Sequence, residues 1–364
     1  MPRILVDLLQ TTGTKGGIEV YANELYSAIG ALDTGHEWVG LASAELAAAG
    51  ADWFPGELVN SGISGENRLA WARGELFSVD AAARRIGADL IHCPAMLGPW
   101  RSRTPMVLSI HDLLYFTNPE LMRDKRLTAA VKWMERRAAA SAAEILTISE
   151  VSAAAIRTHL GRESVVIPLA PRSAVSIDQG DHTRRDDLFI AIGQRSPYKD
   201  FETVVRAWAD LPMQNRPTLV VTGSHGDDPL KPIVAELGLG ESVQLREWVS
   251  TEELRTLFGT ATALIDSTIA SGYSLPAVEA MAGGLPLIMA DTPVFREVTG
   301  DAALYFAAGT PGSLAQSVEQ LRSDPALASS LAARGRTRVA DLSWPDIAER
   351  TVAVFDDVLA ARAG

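Results

Sequence analysis

The residues best suited to chemistry lie between Ser271 and Pro286, in the run SGYSLPAVEAMAGGLP. The run contains a loop with glycine, a proline suited to the first turn of a helix, the carboxylate of Glu279 about one turn later, and a Gly-Gly stop. Free amides at a helix start form an anion site that suits a diphosphate. Phosphates disfavour a neighbouring carboxylate, so Glu279 is better suited to accept hydrogen bonds from ribose hydroxyls. An ordinary capped helix explains these residues alone equally well.

A basic pair occupies the run GQRSPYKDF, which directly follows a strand-like segment. Arg195 and Lys199 lie in the loop that opens the next helix. Two fixed cations beside helix amides suit a leaving diphosphate. An exposed basic turn is the simpler explanation of this run in isolation, but the first motif beside it favours the functional interpretation.

A glycine-rich turn and a histidine mark the first half of the chain. Gly16 and Gly17, in GTKGGIEVYANEL, could bring backbone amides close to a phosphate or a sugar. The turn does not fit G-x-G-x-x-G, which disfavours dinucleotide redox chemistry, and it lacks the G-K-[ST] of a P-loop. His111 and Asp112 end the strand-like run MVLSIHDLLYF, where ligand-facing residues often lie. A lone histidine is more often structural.

The composition excludes several classes of protein. The chain has 364 residues and a formal net charge of −12, which argues against a nucleic-acid partner. Its one cysteine, Cys93, excludes an internal disulfide and a cysteine zinc site. No D-x-D sequence occurs, so we expect no metal and no cofactor, with Arg195, Lys199 and helix amides supplying the electrostatic stabilisation. The apolar start is interpreted as a buried strand and no run reaches about 18 apolar residues, so we expect a cytoplasmic protein.

Strand-like runs alternate with helical patterns along the chain, which predicts an α/β fold with parallel sheets. The polar segment 172–187 interrupts the alternation. We therefore predict a first Rossmann-like domain over 1–171, a linker over 172–187, a second Rossmann-like domain over 188–343, and a C-terminal helix over 344–364 able to pack back on the first domain. Open parallel sheets bind ligands beyond the carboxyl ends of their strands, so two doubly wound domains facing each other would form the site in their cleft.

The predicted strands are Pro2–Leu9, Glu37–Ala42, Ala88–His92, Met106–Ile110, Glu144–Ile148, Val165–Leu169, Leu188–Ile192, Thr218–Thr222, Val243–Leu245, Ala263–Ile265, Leu287–Ala290 and Ala303–Phe306. Ser250 and Glu253 have the spacing of a capping box ahead of a helix. The segment Glu45–Arg73 is interpreted as acceptor-binding loops.

The first motif resembles the signature of the retaining GT-B glycosyltransferases of the family-four (group 1) type, E-G-F/Y-G-L-P-x-x-E-A-M-A. The matching residues are Gly272, Tyr273, Leu275, Pro276, Glu279, Ala280, Met281 and Ala282. The run Thr292–Phe306, the basic turn, the His-Asp strand end and the Gly-Gly stretch also resemble the family, so the resemblance covers most of the chain. It implies a GT-B fold, with two Rossmann-like doubly wound domains facing across a cleft.

The resemblance also implies an activity. The chain would move a sugar from a nucleoside-diphosphate sugar to a hydroxyl acceptor (a glycan, a lipid-linked sugar or a natural product), without metal and with retention by front-face transfer. His111 would support the donor sugar and the reacting centre, and Arg195 and Lys199 would contact the diphosphate. The donor-binding set that it implies is Gly16, Gly17, Arg195, Lys199, Trp248, Val249, Ser271, Gly272, Tyr273, Ser274, Leu275 and Glu279.

One position departs from the family. Ser271 stands where the family has the first glutamate, which is thought to hold donor-sugar hydroxyls, and Ser274 stands at the following small position. Serine is shorter and uncharged, so we expect an unusual donor such as a deoxysugar, or a weaker sugar contact. Two alternatives remain open: an epimerase or hydrolase that acts on the nucleotide sugar alone, and a nucleotide-sugar-binding protein without catalysis.

The segment Leu121–Ala143 is predicted to form a long basic helix. Its basic residues are Arg123, Lys125, Arg126, Lys132, Arg136 and Arg137. Such a face could touch an anionic membrane, as in relatives that glycosylate lipids, and would place the protein at the inner face of the membrane. A solvated helix face is the simpler explanation.

Overall fold

The computed structural model describes residues 1–13, 16–122, 124–173 and 187–363. The chain divides into two compact units, the first comprising Met1–Leu169 with Leu342–Gly364, and the second comprising Ala170–Asp341. Most of the predicted linker, 174–186, lies outside the described residues, as does Arg123 of the predicted basic helix.

The first unit is built on a parallel sheet. Its strands are β1 (Arg3–Leu8), β2 (Glu37–Ala42), β3 (Glu57–Asn60), β4 (Leu90–Cys93), β5 (Met106–Ser109), β6 (Glu144–Thr147) and β7 (Val165–Val166). Its helices are α1 (Gly16–Gly30), α2 (Ala44–Ala49), α3 (Arg68–Phe77), α4 (Val79–Ile86), α5 (Leu114–Thr117), α6 (Lys125–Ser141), α7 (Glu150–Leu160) and α15 (Trp344–Ala363). Over the described residues the strand order is β3-β2-β1-β4-β5-β6-β7.

The second unit repeats this architecture. Its strands are β8 (Leu188–Ile192), β9 (Thr218–Ser224), β10 (Val243–Glu247), β11 (Ala263–Asp266), β12 (Leu287–Ala290) and β13 (Ala303–Phe306). Its helices are α8 (Phe201–Asp210), α9 (Lys231–Glu236), α10 (Thr251–Thr260), α11 (Leu275–Ala282), α12 (Pro293–Thr299), α13 (Pro311–Ser323) and α14 (Pro325–Val339). Its order, β10-β9-β8-β11-β12-β13, is that of a dinucleotide-type Rossmann fold.

The central strands are continuous apolar runs because helices cover both faces of a parallel sheet. Strand β4 is buried at every residue, as are β5 and β12. The core of the first unit includes Leu5, Ile91, Leu108 and Ile145, one from each of four strands. This apolar continuity explains why the sequence identified these strands to within about two residues at most ends.

The C-terminal helix α15 belongs to the first unit and packs along α1. Trp344 and Phe355 bury their rings there, and Arg350 Nη2 donates to the carbonyl of Val166 over 2.7 Å. The chain therefore leaves the first unit at residue 169 and returns to it at residue 342.

The interpretation of Glu45–Arg73 as loops is wrong. The segment contains most of α2, the strand β3 and the start of α3. Strand β3 is the edge of its sheet and has the exposure pattern of a half-covered strand, with both ends exposed. A four-residue edge strand has no apolar run, so its sequence carried no strand signal.

Candidate functional site

The two strongest motifs meet in the second unit, where the strand order reverses between β8 and β11. Ligands of open parallel sheets bind beyond the carboxyl ends of the strands at such a point. The loop after β8 carries the basic pair, and the loop after β11 leads into α11. Two hydrogen bonds join these loops: Ser267 Oγ donates to the carbonyl of Lys199 over 2.7 Å, and the amide of Ile269 donates to the carbonyl of Tyr198 over 2.9 Å.

Lys199 ends a 3-10 turn and is half-buried. Its aliphatic stem lies against Gly193, where φ is +146°. A Cβ atom at position 193 would contact the Lys199 stem at 3.5 Å. No ion pair among the described residues involves the Lys199 ammonium. Its charge is therefore available to an anionic ligand.

Arg195 has a different environment from the predicted one. Its side chain is buried, and Nε and Nη2 form a bidentate ion pair with Asp228 at 2.9–3.1 Å. Nη1 donates to the carbonyls of Gly193 and Thr222, and Nη2 also donates to that of Val221. All five guanidinium N–H groups are thus used inside the unit, and a diphosphate would have to displace Asp228. Arg195 fixes the loop that carries Lys199.

The start of α11 offers fewer free amides than its sequence suggested. Ser274 is buried, its Oγ accepts from the amide of Ala277 over 3.3 Å, and it donates to Asp266 Oδ2 over 2.8 Å. Pro276 has no N–H, so Leu275 supplies the remaining amide of the first turn. Ser274 is therefore a helix cap that ties α11 to the end of β11.

Ser271 is committed to its own turn. Its Oγ donates to the carbonyl of Tyr273 over 2.5 Å and lies 3.3 Å from the Tyr273 amide. Gly272 is buried, whereas Tyr273 and Leu275 are half-buried. The serine hydroxyl shapes the loop in front of α11 and does not project as a long carboxylate would.

Glu279 forms a buried ion pair with Arg172. The Glu279 side chain is 1% exposed and that of Arg172 is 20% exposed. Arg172 donates from Nε to Oε1 and from Nη2 to Oε2, the latter over 3.0 Å. The pair links the signature helix to a residue of the predicted linker.

Trp248 and His225 form an exposed aromatic pair at the carboxyl ends of the neighbouring strands β10 and β9. Their rings are nearly parallel, at 15°, with centroids 5.7 Å apart. Trp248 is 52% exposed and the following Val249 is half-buried. Flat, exposed rings at this edge are able to stack against a nucleobase.

His111 lies in the first unit, directly after β5, and is buried. Its Nε2 is 2.9 Å from the carbonyl oxygen of Pro94, which can only accept, so Nε2 carries the proton and Nδ1 is an acceptor. Tyr21 packs edge-on against the ring at 4.7 Å. Burial lowers the pKa of His111, and the bond to Pro94 offsets part of that effect. The imidazole is therefore neutral at pH 7.

The glycine-rich turn is closed by an acidic residue. Glu19 Oε1 accepts from the amides of Thr12 and Gly13, the latter over 3.1 Å. Gly16, with φ +30°, begins α1, and Gly17 is exposed. A cavity of about 160 Å³ beside the turn is lined by Thr11, Thr12, Gly13, Glu19, Asn23, Leu46, Ala49, Gly50 and Trp53. The carboxylate makes this turn better suited to hydroxyl groups than to a phosphate.

Sequence reasoning missed the partners of the predicted residues. Asp228 is buried, pairs with Arg195 and accepts from the Leu230 amide. The only sequence feature that could have identified it is its position before a proline and a helix. Asp266 ends an apolar strand, the usual place for a site residue. Arg172 had no local signal, because its partner lies 107 residues away.

Two further observations concern metals and membranes. Within the described ranges, no three His, Cys, Asp or Glu side chains come close enough together to hold a metal ion. Along the same part of the chain, no helix has the length and apolarity required to span a bilayer.

Two family models match successive parts of the chain. Glycosyltransferase Family 4 matches residues 15–170 and Glycosyl transferases group 1 matches residues 176–338. The chain belongs to the group 1 glycosyltransferases. The resemblance of its signature segment to this family and the expected GT-B fold class, with two Rossmann-like domains, are confirmed.

A mannosyltransferase relative agrees with this assignment, and two solved structures share the fold. The MMP alpha-(1->4)-mannosyltransferase of Mycolicibacterium hassiacum is 27% identical over 341 residues, covering 84% of this chain and 81% of the relative. The fold is similar to that of sucrose-phosphate synthase from Thermosynechococcus elongatus, with a TM-score of 0.76, 18% identity, and coverage of 99% of this chain and 100% of that one. Anabaena HepE, solved in complex with UDP-glucose, has a TM-score of 0.72, 16% identity, and coverage of 98% and 100%.

Proposed function

We propose that this glycosyltransferase moves a sugar from a nucleoside-diphosphate sugar to a hydroxyl acceptor with retention at the anomeric carbon. The observation that carries the proposal is the pair of hydrogen-bonded loops at the β8/β11 reversal, one of which carries Lys199 while the other leads into α11. A relative named as a mannosyltransferase and a structural neighbour solved with UDP-glucose support a sugar nucleotide as the donor.

Leaving-group stabilisation is the main catalytic task of the second unit, because negative charge develops on the departing diphosphate. Lys199 and the Leu275 amide stabilise this charge without a metal ion. Arg195 contributes by holding the Lys199 loop in place through Asp228. Glu279 accepts from the ribose, Gly272 and Tyr273 shape the loop around the diphosphate, and the nucleobase lies against the backbone at Trp248 and Val249.

His111 acts at the reacting centre of the donor sugar. Its Nδ1 accepts from a sugar hydroxyl, while the bond from Nε2 to Pro94 fixes the ring. A glycosyl transition state carries positive charge on the sugar ring. A neutral imidazole does not repel that charge, whereas an imidazolium would.

The cavity beside the glycine-rich turn suits a hydroxyl-rich acceptor. Glu19 and Asn23 are hydrogen-bonding groups for sugar hydroxyls, and Trp53 supplies an apolar ring face for a sugar ring. The acceptor on this proposal is a glycan, a lipid-linked sugar or a natural product.

An aromatic and basic surface on the first unit supports peripheral contact with an anionic membrane. Phe77, Trp100 and Trp133 are exposed. The ring centroid of Trp100 lies 5.9 Å from that of Phe77 and 6.4 Å from that of Trp133. Arg101 lies over the Trp100 ring and Arg137 over the Trp133 ring. Aromatic rings with cations favour the headgroup region of a bilayer.

We expect more of the protein to float with anionic vesicles than with zwitterionic ones, and a Trp100→Ser/Trp133→Ser variant to lose this difference. Equal flotation with both vesicles would rule this contact out.

The stereochemical outcome tests the proposed reaction. The chain is incubated with nucleotide sugars, with and without a panel of acceptor alcohols and in the presence of a chelator, and the anomeric product is identified by NMR. Transfer to the alcohol with the donor configuration is expected. An inverted product contradicts the front-face reaction, a product from the donor alone favours an epimerase or hydrolase, and loss of activity that magnesium restores contradicts metal independence.

The serine at position 271 gives a separate prediction. Ser271→Glu would introduce a carboxylate at the donor-sugar position, and we expect it to lower kcat with the natural donor because Ser271 is adapted to that sugar. The loop turn to Tyr273 would also lose its Oγ bonds, so Ser271→Ala is the matched control for the turn alone. Higher turnover in Ser271→Glu than in the unchanged chain would contradict adaptation to the donor.

A further inference from the structure

The ion pair between Arg172 and Glu279 joins a segment without a recognised function to the signature helix. Both carboxylate oxygens of Glu279 accept from one guanidinium edge. We propose that Arg172 is a positioning residue, which fixes and neutralises the Glu279 carboxylate so that it accepts from the ribose hydroxyls of the donor. This inference rests on the proposed function.

The geometry of the pair determines what Arg172 can do. A guanidinium that donates two parallel bonds sets the plane of the carboxylate as well as its position, which a lysine ammonium cannot do. A carboxylate has about four acceptor positions, so it can hold a guanidinium fork and a ribose hydroxyl together. Arg172 therefore defines the direction in which Glu279 accepts.

Charge gives Arg172 a second role. The Glu279 side chain is 1% exposed, and a buried carboxylate without a counter-charge is strongly unfavourable. It would also repel the diphosphate expected at the start of the same helix. Pairing with Arg172 leaves no net charge at this position, so ribose recognition and diphosphate binding become compatible.

Discrimination between ribose and deoxyribose separates this role from a merely structural one. The probes are UDP and GDP, each with its 2′-deoxy and 3′-deoxy counterpart, and the measurement is the dissociation constant by calorimetry. The variants are Arg172→Met, Arg172→Lys and Glu279→Gln. The control is Arg296→Met, which breaks a bidentate pair with Asp291 in the same unit that involves neither α11 nor the loop before it.

We expect the unchanged chain to bind the better ribonucleotide about 10- to 100-fold more tightly than one of its deoxy forms, the size of a hydrogen bond to a charged group. Arg172→Met and Glu279→Gln should lose most of this ratio, Arg172→Lys should lose part of it, and Arg296→Met should keep it. If Arg172→Met does not fold, Arg172→Lys decides by the same ratio.

Two results would overturn the inference. A lower melting temperature in Arg172→Met or Arg172→Lys with an unchanged ribose-to-deoxyribose ratio would make the pair structural. An equal loss of affinity for all nucleotides would make Arg172 a diphosphate ligand. Failure of the proposed function itself looks different, because then the unchanged chain binds none of the probes.

Discussion

At the scale of single residues, the site depends on which cations are committed to the protein and which are available to a ligand. Arg195 and Lys199 share one loop, yet the first donates every N–H inside the unit and the second has no carboxylate partner in the described part of the chain. The sequence around the two residues does not predict this difference, because Asp228, the partner of Arg195, lies 33 residues away.

Breaking the buried Arg195 pair gives a stability prediction. Arg195→Met leaves the Asp228 carboxylate, whose side chain is 2% exposed, without its counter-charge. We expect a loss of about 3–5 kcal/mol in the unfolding free energy of the second unit, measured with urea. The double variant Arg195→Met/Asp228→Leu should recover most of it. A stable Arg195→Met protein with weakened nucleotide binding would instead restore the diphosphate role for Arg195.

A buried carboxyl group in the first unit gives a pH prediction. Burial and the nearby Asp112 raise the pKa of Glu135 from 4.5 to about 8, against a smaller opposing effect of Lys132. Between these values the folded chain holds a proton that the unfolded chain has lost. The contribution of Glu135 is therefore complete below pH 4.5 and is lost by about 1.4 kcal/mol per pH unit as pH rises toward 8.

The variant Glu135→Gln tests this titration, because an amide keeps the shape of the protonated acid without ionising. The difference in unfolding free energy between variant and unchanged chain should move in favour of the variant from pH 5 to pH 8. A difference that stays constant over that range would show that Glu135 ionises normally. Comparing the two chains at each pH cancels the contribution of other titrating groups.

At the scale of elements, the caps of α10 and α11 differ in what they hold. The capping box of Ser250 and Glu253, predicted from their spacing, is confirmed and lies on the surface. Ser274 instead joins the α11 cap to Asp266 at the end of β11. The second cap therefore connects a helix to the strand that carries the site.

Removing each cap should show this difference. We expect Ser250→Ala to lower the unfolding free energy by about 1 kcal/mol, the usual value for an N-cap. Ser274→Ala should lower it by about 2–4 kcal/mol, since it also removes a donor from the buried Asp266. Equal losses in the two variants would mean that the bond from Ser274 to Asp266 contributes little.

Particular elements show what the sequence could predict. The strands Glu37–Ala42, Leu188–Ile192, Leu287–Ala290 and Ala303–Phe306 were predicted with their observed ends, because apolar runs bounded by turn residues define buried parallel strands. The edge strand Glu57–Asn60 was missed for want of such a run. Pairs such as Arg172 with Glu279 were also missed, since a single sequence contains no information on which distant side chains meet.

At the scale of the whole molecule, fold and chemistry are separate claims. A fold shared at a TM-score of 0.76 with only 18% identity shows that two Rossmann-like units tolerate extensive sequence change. The same fold supports many activities, so the reaction of this chain has to be argued from its site residues. Family membership identifies the chain as a glycosyltransferase. The residues at the β8/β11 reversal support the proposed nucleoside-diphosphate-sugar donor.

Donor binding at that reversal tests the account most directly. The measurement is the thermal stabilisation of the chain by nucleoside diphosphates and their sugar conjugates, without metal, in the unchanged chain and in Lys199→Met, with Lys231→Met as the surface-lysine control. A diphosphate at 100 times its dissociation constant should add about 2.7 kcal/mol of stability. We predict a clear preference for one diphosphate, weakened in Lys199→Met and kept in Lys231→Met. A flat response at millimolar ligand, or a preference that Lys199→Met retains in full, would contradict the proposed donor site.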